Sequence, residues 1–142
     1  MLVLDANILV RAVLGSRVLR LLREYSGDVE FFAPDTAFRE ARKYLPAILE
    51  RRRLPAAPAM AMFDLLVVLV QLVGPDAYAP FEAIARERIS TRDEDDWPVL
   101  VAALALGCPI WTEDTDFFGC GVATWTTDRI GLYLAGAANR SA

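Results

Sequence analysis

Apolar and polar residues alternate along the first half of the chain in blocks that predict strands and helices in turn. Residues 2–4 form a continuous apolar run, typical of a strand covered on both faces. An apolar helix-like segment follows from residue 8 to about residue 24, and residues 30–33 predict a second strand. From about residue 37 to 52, apolar residues recur on one arc of a helix. This half therefore predicts a strand, helix, strand, helix order.

The second half continues the alternation after Pro55 and Pro58. Residues 65–73 are apolar nearly all round, which favours a core helix; the residue types of 65–70 also allow a strand, and an exposed part would form an interface. The later elements are a helix over 76–88, a helix over 98–106 ended by Gly107, strands over 108–111 and 122–125, and a short helix over 128–134. Residues 139–142 should fray.

This order, without an internal repeat or linker, predicts one α/β domain with a parallel sheet of roughly four or five strands. The length of 142 residues suits a single well-buried domain. Right-handed crossovers would place the carboxyl ends of all strands at one edge of the sheet, where such sheets bind ligands. Polar side chains at those strand ends are therefore the first candidates for a site.

Composition narrows the chemistry. An apolar fraction of 55% and a charged fraction of 24% exclude disorder, and no apolar run is long enough to span a bilayer. The N-terminus lacks the pattern of a signal peptide, so we expect a cytoplasmic protein that makes no membrane contact. The two cysteines are too few for a disulfide framework or a zinc site, and we interpret them as packing residues. Without histidine, carboxylates must carry any polar chemistry.

Charge and motifs exclude further classes. The chain has one lysine, no P-loop and no G-x-G-x-x-G after its first strand, which removes the common nucleotide-binding signatures. A net charge of −4 argues against binding nucleic acid through the overall field of the protein, but it is compatible with a local basic groove.

Acidic residues stand where the predicted strand ends and helix starts should meet. Asp5 ends the first strand, and Asp114 with Asp116 follows the 108–111 strand. Asp96 precedes the 98–106 helix and shares its core-facing stripe, whereas Glu40 lies on the rim of the apolar arc of its own helix. We therefore expect these acids to lie close together.

Each acid also has an ordinary structural interpretation. Asp5 and Asp96 suit helix caps or first turns, with Asp95 the better cap for the later helix. Asp114 and Asp116 suit a polar turn, and Glu40 a solvated ion pair with Arg39 or Lys43.

Taken together, four motifs resemble the PIN-domain family of metal-dependent ribonucleases, most closely the VapC-type toxins of toxin-antitoxin pairs. They are Leu4-Asp5-Ala6-Asn7, the segment 34–40 with Glu40, the helix 96–105 opening with Asp96, and Thr112-Glu113-Asp114-Thr115-Asp116-Phe117, which is similar to the family's T-x-D-x-D-F turn. The resemblance implies a PIN-like, three-layer α/β/α domain over residues 1–138. Two departures are Ala6, where the family more often has Ser or Thr, and residues 55–89, which match no motif.

The resemblance also implies the site. Asp5, Glu40, Asp96 and Asp114 would be catalytic; Asp5, Asp96, Asp114 and Asp116 would hold Mg²⁺ or Mn²⁺; Asn7 and Thr112 would support these ligands. Hard oxygen ligands without His or Cys suit such ions. Candidate contacts to an RNA backbone are Arg11, Arg39, Arg42 and Lys43, each of which is otherwise a surface charge. The implied partners are an RNA substrate and a cognate antitoxin. Independently of the resemblance, the apolar segment 60–73 should leave exposed surface in so small a chain, and this predicts a homodimer.

Two other functions are open at this stage. A Mg²⁺-dependent phosphatase of the haloacid-dehalogenase type also has an Asp after its first strand, but position 7 here is Asn where that family has a second acid. A non-catalytic α/β binding module would use the acids as caps and turn formers and bind a partner through residues 65–73.

Overall fold

Strands and helices alternate along residues 1–89 and 97–141, the part of the chain that the computed structural model describes. The strands are short and apolar, as the continuous runs in the sequence predict. They are β1 (Leu2–Leu4), β2 (Phe31–Pro34), β3 (Val70–Val73), β4 (Ile110–Trp111) and β5 (Thr124–Trp125). They form a five-stranded sheet in the order β3-β2-β1-β4-β5, and every neighbouring pair is parallel. The predicted α/β class and strand number are confirmed.

Helices connect the strands and cover both faces of the sheet. In chain order they are α1 (Ala6–Leu14), α2 (Arg17–Tyr25), α3 (Asp35–Arg51), α4 (Ala56–Leu65), α5 (Pro75–Tyr78), α6 (Glu82–Ile89), α7 (Trp97–Leu106) and α8 (Ile130–Ser141). Short 3₁₀ turns lie at Leu66–Val68, Ala79–Phe81 and Thr115–Phe117. The last helix continues to Ser141, so the expected fraying of residues 139–142 stays a prediction.

Two cores lie on opposite faces of the sheet. Leu2 and Leu4 of β1 point into the first, together with residues of α1 to α4 and α8. Val3, between them, points into the second with residues of α6 and α7. Because side chains along a strand alternate between faces, one three-residue strand contributes to both cores. The arrangement is the predicted three-layer α/β/α sandwich.

The order in which successive strands are added to the sheet changes side at β1. Strands β2 and β3 lie on one side of β1, and β4 and β5 lie on the other. Val3 is in register with Phe32 of β2 and with Ile110 of β4. Such a switch point opens a crevice at the carboxyl ends of the two strands beside it, here β1 and β4.

Three predicted helices are broken or partly replaced in the structure, and a fourth, predicted to end at residue 134, extends to Ser141. The segment 8–24 is broken after Leu14, where the Gly15 N–H caps α1 by donating to the Arg11 carbonyl. The segment 76–88 is divided by a 3₁₀ turn that contains Pro80, which has no N–H for a helical hydrogen bond. The helix favoured over residues 65–73 is wrong in its second half, because residues 70–73 pair with β2 as a strand.

The two edges of the sheet are unlike. Strand β3 has four residues, and the exposed apolar side chains around it are those of Leu65, Val67, Val68 and Leu72. We call this set the β3 surface. Strand β5 has two residues, both half-buried. Within the described ranges, no helix combines the length and apolar character needed to cross a membrane.

A substitution at Gly107 would test how the C-terminal end of α7 is capped. Its φ of 65° is left-handed, and the Cys108 N–H donates to the Ala103 carbonyl, as in a Schellman cap. A Cβ at Gly107 would meet no atom within 4 Å, so Gly107→Ala should lose only conformational energy, about 1 kcal/mol, or a few degrees in melting temperature. Gly27→Ala is the control, because its site is equally open without a positive φ. Equal melting temperatures for the two variants would contradict the cap.

Candidate active site

Asp5 lies at the carboxyl end of β1, at the switch point, and is only 6% exposed. One carboxylate oxygen accepts the Ile8 N–H at 3.2 Å, which makes Asp5 the N-cap of α1. The other accepts the Thr112 hydroxyl hydrogen in a short hydrogen bond and the Asn7 side-chain amide at 3.2 Å. Capping therefore uses one oxygen of Asp5, and the second oxygen faces the end of β4.

The turn after β4 carries the next acids. The fully buried Thr112 hydroxyl accepts the Asp114 N–H at 2.9 Å while donating to Asp5. The Asp114 carboxylate accepts the Asp116 N–H at 2.9 Å and so caps the 3₁₀ turn Thr115–Phe117. These hydrogen bonds link the acidic turn to Asp5. The polar-turn interpretation is correct for this segment, and the same turn brings its acids to the switch point.

The electrostatics of Asp5 reflect burial and a neighbouring acid. Burial is the largest influence and, with the negative charge of Asp114, raises the pKa of Asp5 to about 7; the hydrogen bonds from Thr112 and Ile8 act in the opposite direction. The effect of Asp114 indicates that the two carboxylates lie close enough to interact electrostatically. An isolated buried acid with this pKa keeps much of its proton at neutral pH, so the site favours a positive charge beside it.

Two further hydrogen bonds connect the acidic turn and the strand before it to Thr127. The Glu113 carboxylate accepts the Thr127 N–H at 2.6 Å, and the Trp111 indole N–H donates to the Thr127 hydroxyl at 3.1 Å. Both contacts tie the end of β4 to the loop after β5. Neither Glu113 nor Thr127 has a predicted role, because no local sequence pattern marks a contact between residues 14 apart across two strands.

Two further predicted site residues are Glu40 and Asp96. Glu40 is on α3 and is exposed. Asp96, and the cap residue Asp95, lie outside the described residues. Within residues 1–89 and 97–141, no three acidic or cysteine side chains form a group that could hold a metal ion. The metal and catalytic assignments of all the predicted site residues, those of Asp5, Asp114 and Asp116 included, stay predictions.

The predicted RNA contacts have different surroundings. Arg39 pairs with Asp35 at 3.3 Å, Arg42 pairs with Asp64 and stacks on the Phe63 ring, and the Lys43 ammonium lies 5.5 Å from the Tyr44 ring centre. Arg11, by contrast, lines an open cleft described below.

Asp35 is an acid that the sequence analysis treated only as part of a helix start. It directly follows β2 and accepts the Tyr78 hydroxyl hydrogen at 2.8 Å. Burial and this carboxylate raise the pKa of Tyr78 to about 12. The positional argument applied to Asp5, an acid at a strand end, would have singled out Asp35 as well.

The donor atoms around Asp5 suit a hard divalent cation. Asp5 and Asp114 supply carboxylate oxygens, Asp116 follows on the same turn, and Thr112 holds Asp5 in place. Cys108 and Cys120 are buried in the core on the α7 side, and the chain has no histidine. All-oxygen ligand sets bind Mg²⁺ or Mn²⁺ in preference to softer ions, so the kind of ligand present fits the implied metal, although the described residues alone do not bring three such ligands together.

Comparisons with known proteins agree with this architecture. The sequence model of the PIN domain family matches residues 3–135. A search of curated proteins finds no match. Among solved structures, VapBC2 from Rickettsia felis, bound to a DNA fragment from their promoter, is similar with a TM-score of 0.69 and 12% identity, covering 88% of this chain and 97% of that chain. FitAB bound to the IR36 DNA fragment is similar with a TM-score of 0.57 and 19% identity, covering 89% and 95%. At these identities the structural similarity concerns the fold.

The raised pKa of Asp5 predicts how stability depends on pH without metal. Folded Asp5 binds protons more tightly than the unfolded side chain, whose pKa is near 3.8, so the unfolding free energy should fall as pH rises from about 4 to about 7. Asp5→Asn should remove this part of the fall, on the order of a few kcal/mol, and Asn caps a helix about as well as Asp. Denaturant unfolding in a chelator at several pH values measures the difference.

The control is Asp128→Asn, which removes an exposed carboxylate from the loop next to Thr127. It should keep the pH dependence of the parent. If Asp5→Asn and the parent lose stability in parallel as pH rises, the burial of Asp5 does not perturb its titration.

Proposed function

The chain belongs to the PIN-domain family, and from this premise we propose that it is a Mg²⁺- or Mn²⁺-dependent endoribonuclease, the toxin of a toxin-antitoxin pair. The observation that carries the proposal is the joining of Asp5 and the Asp114 turn through Thr112 at the switch point of the sheet. This is where α/β sheets bind ligands, and Thr112 is hydrogen-bonded there to the Asp5 carboxylate and to the backbone of Asp114, two of the four acids implied by the family resemblance.

In this proposal Asp5, Asp96, Asp114 and Asp116 hold the metal, and Glu40 completes the catalytic set. A divalent ion at such a site supplies a bound water of lowered pKa and neutralises charge on the scissile phosphate. The chain's own groups prepare the place: Thr112 and the Ile8 N–H orient Asp5, and Thr112 positions the backbone of Asp114.

The negative charges of Asp5 and Asp114 favour the form of the site that holds a cation. Asp5 and Asp114 repel each other, and together they would repel an RNA phosphate. A cation among them reverses the sign of the local field, so RNA binding at the scissile position and ionisation of Asp5 both depend on it. The repulsion between these two acids is therefore one reason to expect that RNA cleavage depends on metal.

The toxin assignment is supported by the VapC-type motifs and by the similarity of the fold to VapBC2. We infer that a cognate antitoxin binds this chain and that the protein acts in the cytoplasm. A neighbouring reading frame that encodes a small DNA-binding protein with a flexible tail would support this inference.

Cleavage of single-stranded or loop RNA should require Mg²⁺ or Mn²⁺ and stop in a chelator. Asp5→Asn and Glu40→Gln should each lose most of the activity, roughly a hundredfold or more, because each removes a proposed catalytic carboxylate. The assay follows cleavage of end-labelled RNA, with circular dichroism to verify folding. Glu50→Gln, which neutralises an exposed acid on the same helix as Glu40, is the matched control and should cleave like the parent.

Two results would redirect the assignment. Full activity in Glu40→Gln would make Glu40 a surface residue. Metal-dependent release of phosphate from small esters, without RNA cleavage, would favour the phosphatase alternative, whereas the absence of any metal response would favour the binding module.

We further propose a homodimer formed through the β3 surface. Its apolar side chains are exposed at one edge of the sheet, with Val68 at 78%. A continuous apolar surface beside an edge strand is typical of an interface between protein chains. Since a twofold axis brings the same patch of each copy together, the β3 surface would be covered by its own equivalent.

Light scattering at micromolar concentration should therefore show a dimer for the parent and a monomer for Val68→Asp, which places a charge in the proposed interface. Leu132→Asp is the control, because Leu132 is comparably exposed, at 67%, but lies on α8. This variant should remain a dimer. A monomeric parent, or dissociation by both substitutions alike, would exclude the β3 surface as the interface.

A further inference from the structure

A cleft of about 570 Å³ lies beside the acidic turn, between the end of α1, the start of α2 and the loop after β5. It is connected to the proposed active site by two elements. Glu113, which precedes Asp114, lines it, and α1 runs from the Asp5 cap to Arg11 at its rim. The six residues from Asp5 to Arg11 correspond to about 9 Å along a helix axis. The cleft is therefore a neighbour of the acidic site and separate from it.

Three arginines line this cleft: Arg11 from α1, Arg17 from α2 and Arg52 after α3. Arg17 is held in place by Asp128 at 3.3 Å and by the Thr127 carbonyl at 3.2 Å. In the described part of the chain, Arg11 and Arg52 make no ion pair or side-chain hydrogen bond. The guanidinium groups of Arg11 and Arg52 are thus available to a ligand, and that of Arg17 lies at the same cleft.

The acids in the cleft leave the charges of Arg11 and Arg52 without a compensating partner in the described residues. Glu113 is engaged by the Thr127 N–H, and Asp128 pairs with Arg17. Three positive side chains therefore share the space with two negative ones, both of which already have partners. In a chain with a net charge of −4, such a local excess of positive charge marks an anion-binding surface.

The start of α2 adds neutral donors to the same space. Ser16 is the N-cap residue, but its side chain makes no capping hydrogen bond. The first backbone N–H groups of a helix have no partner within the helix, and they favour anions. The Ser16 hydroxyl and these N–H groups complement the arginines with the donors that a phosphate oxygen accepts.

We propose that the cleft binds a phosphodiester group of the RNA strand, about one to three nucleotides away from the bond at the acidic site. This inference rests on the proposed function for the identity of the strand. The acidic site repels phosphate in the absence of metal, whereas the arginine cleft attracts it with or without metal. The cleft thus gives RNA a first attachment point and makes binding depend on strand length.

The test is fluorescence anisotropy of labelled single-stranded RNA of 4 and 12 nucleotides, with a chelator present to prevent cleavage. Parent protein should bind the longer strand more tightly. Arg11→Gln combined with Arg52→Gln should weaken binding of the longer strand roughly tenfold and reduce the salt dependence of log K by about 1. Arg20→Gln combined with Arg51→Gln removes the same charge from positions that do not line the cleft and should bind like the parent.

The outcomes separate this inference from the nuclease proposal. Arginine-dependent RNA binding by a protein that cleaves no RNA supports the cleft and removes the proposed function. If the parent cleaves RNA and both double variants bind RNA with equal affinity, the proposed role of the cleft is wrong and the nuclease proposal stands. The inference is also overturned if the parent does not bind RNA in the chelator. It is overturned as well if the Arg11/Arg52 variant loses binding to polyglutamate but keeps its binding to RNA.

Discussion

One side-chain hydrogen bond, from the Thr112 hydroxyl to the Asp5 carboxylate, links the polar residues at the ends of the two paired strands on which the site is built. The residues are 107 positions apart in sequence, and both are buried. Ile8 and Asn7 also donate to Asp5, but Thr112 is the donor that comes from the end of β4, and losing one donor to a buried carboxylate is destabilising. The packing of β1 beside β4 and the placement of the acidic turn therefore depend on each other. The pairing of β1 and β4, with Leu4 opposite Trp111, places the two residues at adjacent strand ends.

The fold class could be predicted because short, continuous apolar runs alternate with helical patterns, and parallel sheets need such runs. The strand at residues 70–73 was predicted as a helix, since a run that is apolar nearly all round lacks the periodicity that separates the two. The break at Gly15 was missed because the apolar pattern continues across it. Both errors concern places where tertiary pairing or one backbone cap overrides the local pattern.

At the site, the sequence located the acids at strand ends but could not reveal which ones share hydrogen bonds. Asp5 is both a helix cap and a member of the acidic site, so the two interpretations weighed for it were not exclusive. The contacts of Glu113 with Thr127 and of Asp35 with Tyr78 join residues distant in sequence. They follow from the order of the strands and the packing of the helices, which no local motif encodes.

The unequal edges of the sheet limit how copies of the chain can assemble. Edge strands can pair with further strands, but β5 has only two residues, too few to template a long one. Strand β3 is the longer edge, and pairing of β3 with its own equivalent would use it in both copies. An assembly of this kind is complete with two chains and leaves no unpaired β3 edge, so it cannot grow into a fibre through that edge.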